Sequence, residues 1–308
     1  MAMKRLVMGL LILGLFLAGC TDGDDEDTKD GVFFGGVEGV SIEFVDIAPP
    51  TQFDQDDSVS VKAVLSNKGE FDITAGNAVA RLFGLSLDNF GLDSSYVPTE
   101  GGLRGKSELS IEGGQQEVDF GNLEYSLPVV NSQDFTLRAR VCYPYQTEAL
   151  VDVCLKSSLA AEAGDSICDI SGEKVTTSSI SSAPIKITSI TERARGSDQI
   201  RFDVTIENQG SGEVFSPDSV CADLDDPLTK REQEDRIMFE VVNPLGVECD
   251  FRKGDPSNKG EIELNAGQEV LTCWKSVEDT VEDKLNIKLN YIYRDATSTQ
   301  ITIFESTS

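Results

Sequence analysis

Beyond its first forty residues the chain is dominated by short segments that are apolar at every second position, separated by Gly, Asn, Asp and Ser. A period of two marks half-buried strands, and long runs at the helical period of 3.6 are absent, so the pattern predicts an all-β sandwich fold. Three anchors occur twice in the same order. Val59, Val61, Ala63 and Leu65 run into Asn67-Lys68-Gly69, as Ile200, Phe202, Val204 and Ile206 run into Asn208-Gln209-Gly210. Gly114-Gln115-Gln116-Glu117-Val118 then corresponds to Ala266-Gly267-Gln268-Glu269-Val270, and the row Leu137, Ala139, Val141, Tyr143, Tyr145 to Leu285, Ile287, Leu289, Tyr291, Tyr293. The offsets are 141, 152 and 148 residues, which predicts one ancestral unit used twice. A repeat of that length implies two complete domains, at 40–155 and 184–308, since solenoid repeats run to about 20–50 residues.

Each anchor has a physical reading. Alternate apolar side chains face a core while their neighbours face water. Asn-x-Gly supplies residues that tolerate positive φ, so a strand can turn sharply there. Leu137–Tyr145 and Ala149–Leu155 read as the two arms of a hairpin. Matching their inward rows places Cys142 opposite Cys154, since both that pair and Val141–Leu155 have residue numbers summing to 296.

An alternating strand ending in Asn-x-Gly, a polar loop, and Gly-Gln-Glu before the next strand is similar to CARDB-like domains, which are immunoglobulin-like modules of prokaryotic surface proteins. The resemblance covers roughly 40–155 and 184–308 and departs from the commoner form in lacking a proline before Gly-Gln-Glu. It implies two tandem immunoglobulin-like sandwiches with an adhesive or scaffolding role, and it carries over no catalytic residue.

The N-terminus reads as an address. Lys4 and Arg5 precede the apolar run Leu6–Ala18, which has a signal-peptide core's length and is too short to span a bilayer. Leu17-Ala18-Gly19-Cys20 resembles the lipobox of prokaryotic lipoproteins, which implies removal of residues 1–19 and lipidation of the Cys20 sulfur. Residues 20–39 follow as a tether, with six acids and one lysine in Asp22–Asp30. An EF-hand counted from Asp22 would need Gly and Glu where Asp27 and Phe33 stand, so a self-repelling extended segment is expected. Localisation at the extracellular face of the cell membrane, held by lipid, follows from these features.

Between the repeats, 156–183 reads as a linker, with a short helix at Leu159–Asp165 and a polar stretch Thr176–Pro184. Two insertions stand out because loops above about twelve residues are usually functional or disordered. Gly91–Gly105 is Gly-rich around Tyr96, and Cys221–Arg236 is dense in charge and predicts one or two helical turns.

Composition narrows the chemistry. The 308 residues carry 54 Asp and Glu against 26 Lys and Arg, a formal charge of −28, and no histidine. Catalysis by Ser-His-Asp or Cys-His and histidine-liganded zinc are excluded, and the acidity argues against nucleic acid as a partner. With Cys20 committed to lipid, six cysteines remain, an even number that suggests disulfides in an exported chain. Besides Cys142–Cys154, the pairs Cys249–Cys273 and Cys168–Cys221 are proposed. No C-x-x-C spacing points to metal–thiolate chemistry. Asp223, Asp225 and Asp226 are weak calcium candidates, as is the cluster Asp54, Asp56 and Asp57, against the plainer reading of solvated turns. Trp274 beside Cys273 reads as a core residue packed on a disulfide, as in immunoglobulin cores. Tyr143, Tyr145, Tyr291 and Tyr293 read as core or semi-core.

The expected function is non-catalytic: binding, adhesion or scaffolding toward an extracellular protein or polysaccharide. A carboxylate-based hydrolase or solute-binding component, and a calcium-rigidified surface spacer, are the alternatives.

Overall fold

The computed structural model describes residues 33–156, 167–242, 246–252 and 254–306. The signal segment, Cys20, the acidic run to Asp30 and the expected helix at 159–165 lie outside the described residues. The N-terminal repeat supplies β1 (Val40–Phe44), β2 (Gln52–Asp54), β3 (Val59–Asn67), β4 (Val79–Phe83), β5 (Val97–Pro98), β6 (Gln115–Leu123) and β7 (Ser132–Leu155). The C-terminal repeat supplies β8 (Ile185–Arg195), β9 (Gln199–Asn208), β10 (Glu213–Phe215), β11 (Arg236–Val241), β12 (Glu248–Cys249), β13 (Lys259–Glu263), β14 (Gln268–Ser276) and β15 (Val281–Phe304), together with the short α-helix α1 (Pro227–Gln233). The fold is all-β, as the alternation predicts.

The strands form a three-stranded sheet β1-β3-β6, a four-stranded sheet β12-β14-β9-β8, and a long shared sheet β13-β11-β15-β7-β4-β5. The expected hairpin at 137–155 does not form. β7 runs straight through Gln146-Thr147-Glu148 as one strand of 24 residues and pairs antiparallel along its whole length with the equally long β15. Its odd-numbered positions from Leu137 to Leu155 are buried without interruption. A turn at 146–148 would break that row, whereas a continuous strand keeps every apolar side chain on one face.

This pairing joins the two repeats. Facing residue numbers sum to 436, and the repeat offset in this region is 148, so the pairing maps onto itself about the opposed pair Pro144–Ile292. Tyr143 faces Tyr293 and Tyr145 faces Tyr291, each pair being the image of the other. Each long strand therefore serves both repeats. The end of β15 lies on the N-terminal one, pairing in parallel with β2 and accepting at the Phe304 carbonyl from Gln55 N–H at 2.9 Å. The end of β7 lies on the C-terminal one: Cys154 N–H donates to the Glu192 carboxylate at 2.8 Å, and the Thr147 hydroxyl donates to the Ile185 carbonyl at 2.6 Å. The division into two domains is not confirmed: the described residues form one compact unit with one main hydrophobic core drawn from both repeats.

The buried odd positions and the tyrosine hydroxyls place both smaller sheets on the same face of the long one. Tyr145 donates to Asn67 Oδ1 at 3.1 Å and Tyr293 to Asn208 Oδ1 at 3.1 Å. Each Asn also accepts at that oxygen from the glycine two residues on, at 3.2 Å in both cases. This corrects the expected role of Asn-x-Gly, because none of Asn67, Gly69, Asn208 and Gly210 adopts positive φ. The glycine is required by close approach: a Cβ on Gly69 would stand 1.9 Å from the Tyr145 hydroxyl, and one on Gly210 2.3 Å from that of Tyr293. The Gln-Glu anchor aligns one residue differently from the sequence match. Gly114 and Gly267 both accept from the clamped asparagine's N–H, so Val118 corresponds to buried Leu271 and not to Val270, which is 48% exposed.

Parts of the segments read as tether and linker are packed. Phe33, inside the proposed tether, is buried and its N–H donates to the Ser178 carbonyl at 2.9 Å. Within the proposed linker, Ser179 to Ala183 are buried between the repeats, and Glu70 accepts from the N–H groups of Ser182 at 2.7 Å and Gly35 at 3.0 Å. A buried polar connector is stable because its backbone groups find these partners.

The disulfides follow the continuous strand. Cys142 and Cys154 lie twelve positions apart on β7, a separation of about 40 Å at about 3.3 Å per residue, so they cannot bond. The bonds are Cys142–Cys221, Cys154–Cys168 and Cys249–Cys273. The first two replace the expected Cys142–Cys154 and Cys168–Cys221; the third is as expected and joins residues directly opposed on β12 and β14. Trp274 is not in the core: its neighbour Cys273 points inward, so Trp274 points outward, where the Arg195 guanidinium lies 4.8 Å from its ring centre.

Candidate functional site

The outer face of the shared sheet is where the two insertions meet. Cys142, Pro144, Ile292 and Arg294 stand on the outward, even-numbered positions of β7 and β15, around the centre of their symmetric pairing. Over them lies a second, smaller hydrophobic cluster of Cys142, Phe215, Leu224 and Ile292, with Val79, Tyr96 and Cys221 packed against it. Tyr96 comes from the first insertion and Leu224 and Cys221 from the second. Tyr96 is half-buried, and burial together with the nearby Asp225 carboxylate pushes its phenol up.

Local sequence explains how the second insertion folds. Asp226 caps α1, its carboxylate accepting from the N–H groups of Leu228 at 3.1 Å and Thr229 at 2.9 Å, and Pro227 fills the first helical position, where no N–H is needed. Those hydrogen bonds hold the Asp226 carboxyl below the usual range. The helix buries no side chain of its own. The segment is fastened instead by Leu224, by the Cys142–Cys221 bond, and by charge.

The charge is concentrated on Asp225. It accepts from Arg81 Nη1, from Arg140 Nη1 at 2.6 Å, and lies 3.7 Å from Arg294 Nη1. Arg294, 7% exposed, also donates through Nε and Nη2 to Glu213 at 3.0 and 2.7 Å and through Nη1 to the Leu224 carbonyl at 3.2 Å. Burial raises Glu213, but hydrogen bonds from Lys230 and Arg294 outweigh it and hold the carboxyl low.

Two clefts flank this network. An apolar one of about 440 Å³ is bordered by Val79, Tyr96, Pro144, Val220 and Ile292; a polar one of about 460 Å³ is bordered by Phe83, Arg140, Glu213, Lys230, Arg294 and Asp295. Both fall in the size range of small-molecule sites. A third cavity, of about 210 Å³, lies apart, between β13 and β14 beside Phe251 and Arg252.

The calcium candidates are not brought together. Asp223 is exposed at the start of a 3₁₀ turn, Asp225 faces the arginines and Asp226 caps the helix. Asp54 and Asp57 close a tight turn on each other, Asp54 N–H donating to the Asp57 carboxylate at 2.9 Å. Among the described residues, no group of three or more Asp, Glu, Cys or His side chains is placed to hold a metal ion.

Arg81, Arg140, Arg294 and Glu213 were not singled out by sequence. Arg140 does carry a signal, standing at the outward position between buried Ala139 and Val141. Which groups it would meet depends on the pairing of β7 with β4 and β15. Comparison with protein-family models finds no match, and comparison with curated proteins finds none.

Proposed function

We propose that the protein is an exported lipoprotein of CARDB-like, immunoglobulin-like construction. It is held by a lipid on Cys20 at the extracellular face of the cell membrane and acts by non-catalytic binding. The lipobox-like Leu17-Ala18-Gly19-Cys20 supports the anchoring, and three disulfides suit an oxidising compartment. One observation carries the binding role: the long insertions of the two repeats converge on one face of the shared sheet. There they leave two open clefts around a charged centre. Insertions placed on a rigid scaffold are where binding residues concentrate.

The anchoring is tested by Cys20→Ser, which should release the protein from membranes. The binding face is tested by capturing partners on intact cells with the native protein and with Tyr96→Ala and Val220→Ser variants. Loss of capture with an unchanged melting temperature supports this reading, and undiminished capture by both variants removes it. The size and arginine lining of the polar cleft also favour a solute-binding component as a second reading.

A further inference from the structure

Arg81 and Arg140 are directly opposed partners on β4 and β7, and like charges so placed destabilise a sheet unless an anion lies between them. Arg294 joins them from β15, so three guanidinium groups gather in a chain whose formal charge is −28. Each is set against an aromatic ring: Arg81 lies 5.4 Å from the ring centre of Tyr96, Arg140 3.9 Å from that of Phe83 and Arg294 5.0 Å from that of Phe215. Stacking of this kind fixes the plane of a guanidinium and aims its paired donors, the arrangement that matches a carboxylate.

We propose that Arg81, Arg140 and Arg294 form a recognition site for a small organic carboxylate, and that Asp225 is its built-in occupant in the unliganded protein. The site rests on reading this face as the binding face. Asp225 itself supplies the template, since a carboxylate already fills the position. The ligand enters beside it, through the cleft of about 460 Å³ that Arg140, Lys230 and Arg294 border. It is small because the overall negative charge repels polyanions. Asp225 is displaceable by rotation of its side chain, which is 24% exposed, while Leu224 and the Cys142–Cys221 bond keep the turn itself in place. A tethered competitor of this kind weakens binding by its effective concentration, so removing it should tighten binding by about tenfold or more.

The test uses the full chain with succinate as probe, measured by calorimetry at constant ionic strength with chloride as the balancing anion. Asp225→Ala should bind succinate at least about tenfold more tightly than the native protein, and adding Arg140→Ala should abolish the gain. Equal affinities, or a gain that survives Arg140→Ala, overturn the proposal. If Asp225→Ala fails to fold, the side-chain N–H resonances of Arg140 and Arg294 in the native protein decide. Succinate shifts them more than chloride does, or the site does not exist. Partner capture on cells is a separate readout, so succinate binding with no effect of Tyr96→Ala or Val220→Ser on capture would sink the broader reading and leave this site standing.

Discussion

The hydroxyl of Tyr145 lies 3.1 Å from Asn67 Oδ1, across 78 residues of sequence, and the same contact is made at 3.1 Å by Tyr293 and Asn208. The asparagine amide nitrogen closes each turn on the far side, Asn67 donating to the Phe71 carbonyl at 2.7 Å and Asn208 to that of Gly212 at 3.0 Å. These clamps fix where each smaller sheet meets the shared one. Tyr145→Phe leaves Asn67 and the Phe71 N–H short of a partner and should cost about 1–3 kcal/mol in denaturant unfolding. Gly69→Ala should cost about 3 kcal/mol or more, because the added methyl also meets the Glu38 and Ser182 carbonyls. A Gly69→Ala protein of native stability would refute the close-approach account.

Much of the architecture was legible in the sequence, and the tyrosine clamps show why. Asn-x-Gly and the alternating Tyr rows recur because the same contact is built twice, so a local pattern records it. The strand exchange was legible only in part. The odd-numbered burial row passes unbroken through Gln146-Thr147-Glu148, a stretch without Gly, Asn, Asp or Pro, and that continuity argues against a turn. Nothing local, however, says which strand will lie alongside. The pairings of Cys142 and Cys154, and the meeting of Arg81, Arg140, Arg294 and Asp225, depend on that long-range choice.

The disulfide pattern makes a separate prediction. Non-reducing peptide mapping should recover Cys142 with Cys221, Cys154 with Cys168, and Cys249 with Cys273. Cys142–Cys221 spans 79 residues and Cys154–Cys168 spans 14, so removing the longer link should cost about 4.5 kcal/mol against about 3 for the shorter. A peptide joining Cys142 to Cys154 would restore the hairpin and rule out the continuous strand.

Alkaline pH should act on stability in two opposite ways. Burial lowers Lys186 to about 8 from 10.5, so between those values the unfolded chain holds a proton that the folded chain does not, and stability rises with pH. Burial raises the phenols of Tyr143, Tyr145, Tyr291 and Tyr293 above their ordinary value of 10.0, so from there upward the unfolded chain releases protons that the folded chain keeps, and stability falls. Chemical denaturation across this range should show a rise and then a decline, and Lys186→Met should remove the rise alone. A native protein whose stability falls steadily from pH 8 upward would contradict the assignment of Lys186.

The C-terminus should matter most to the N-terminal repeat. Deleting residues from Thr297 onward removes the stretch of β15 that covers β2 and the start of β7. Hydrogen exchange should then quicken in residues 51–55 and 132–139 and change little in β9 and β14. Loss of protection confined to the C-terminal repeat would point to a strand that stays with its own half.

The most direct test of the shared sheet is to cut the chain between the repeats. A protease site placed within 157–166 leaves the halves linked by Cys142–Cys221 and Cys154–Cys168, and reducing both bonds leaves only the non-covalent pairing of β7 with β15 and the packing around it. Sedimentation of the nicked, reduced protein in native buffer should give one particle of the intact mass. Two separate folded particles of about half that mass would show that each repeat completes its own sandwich, and the exchange of strands would be wrong.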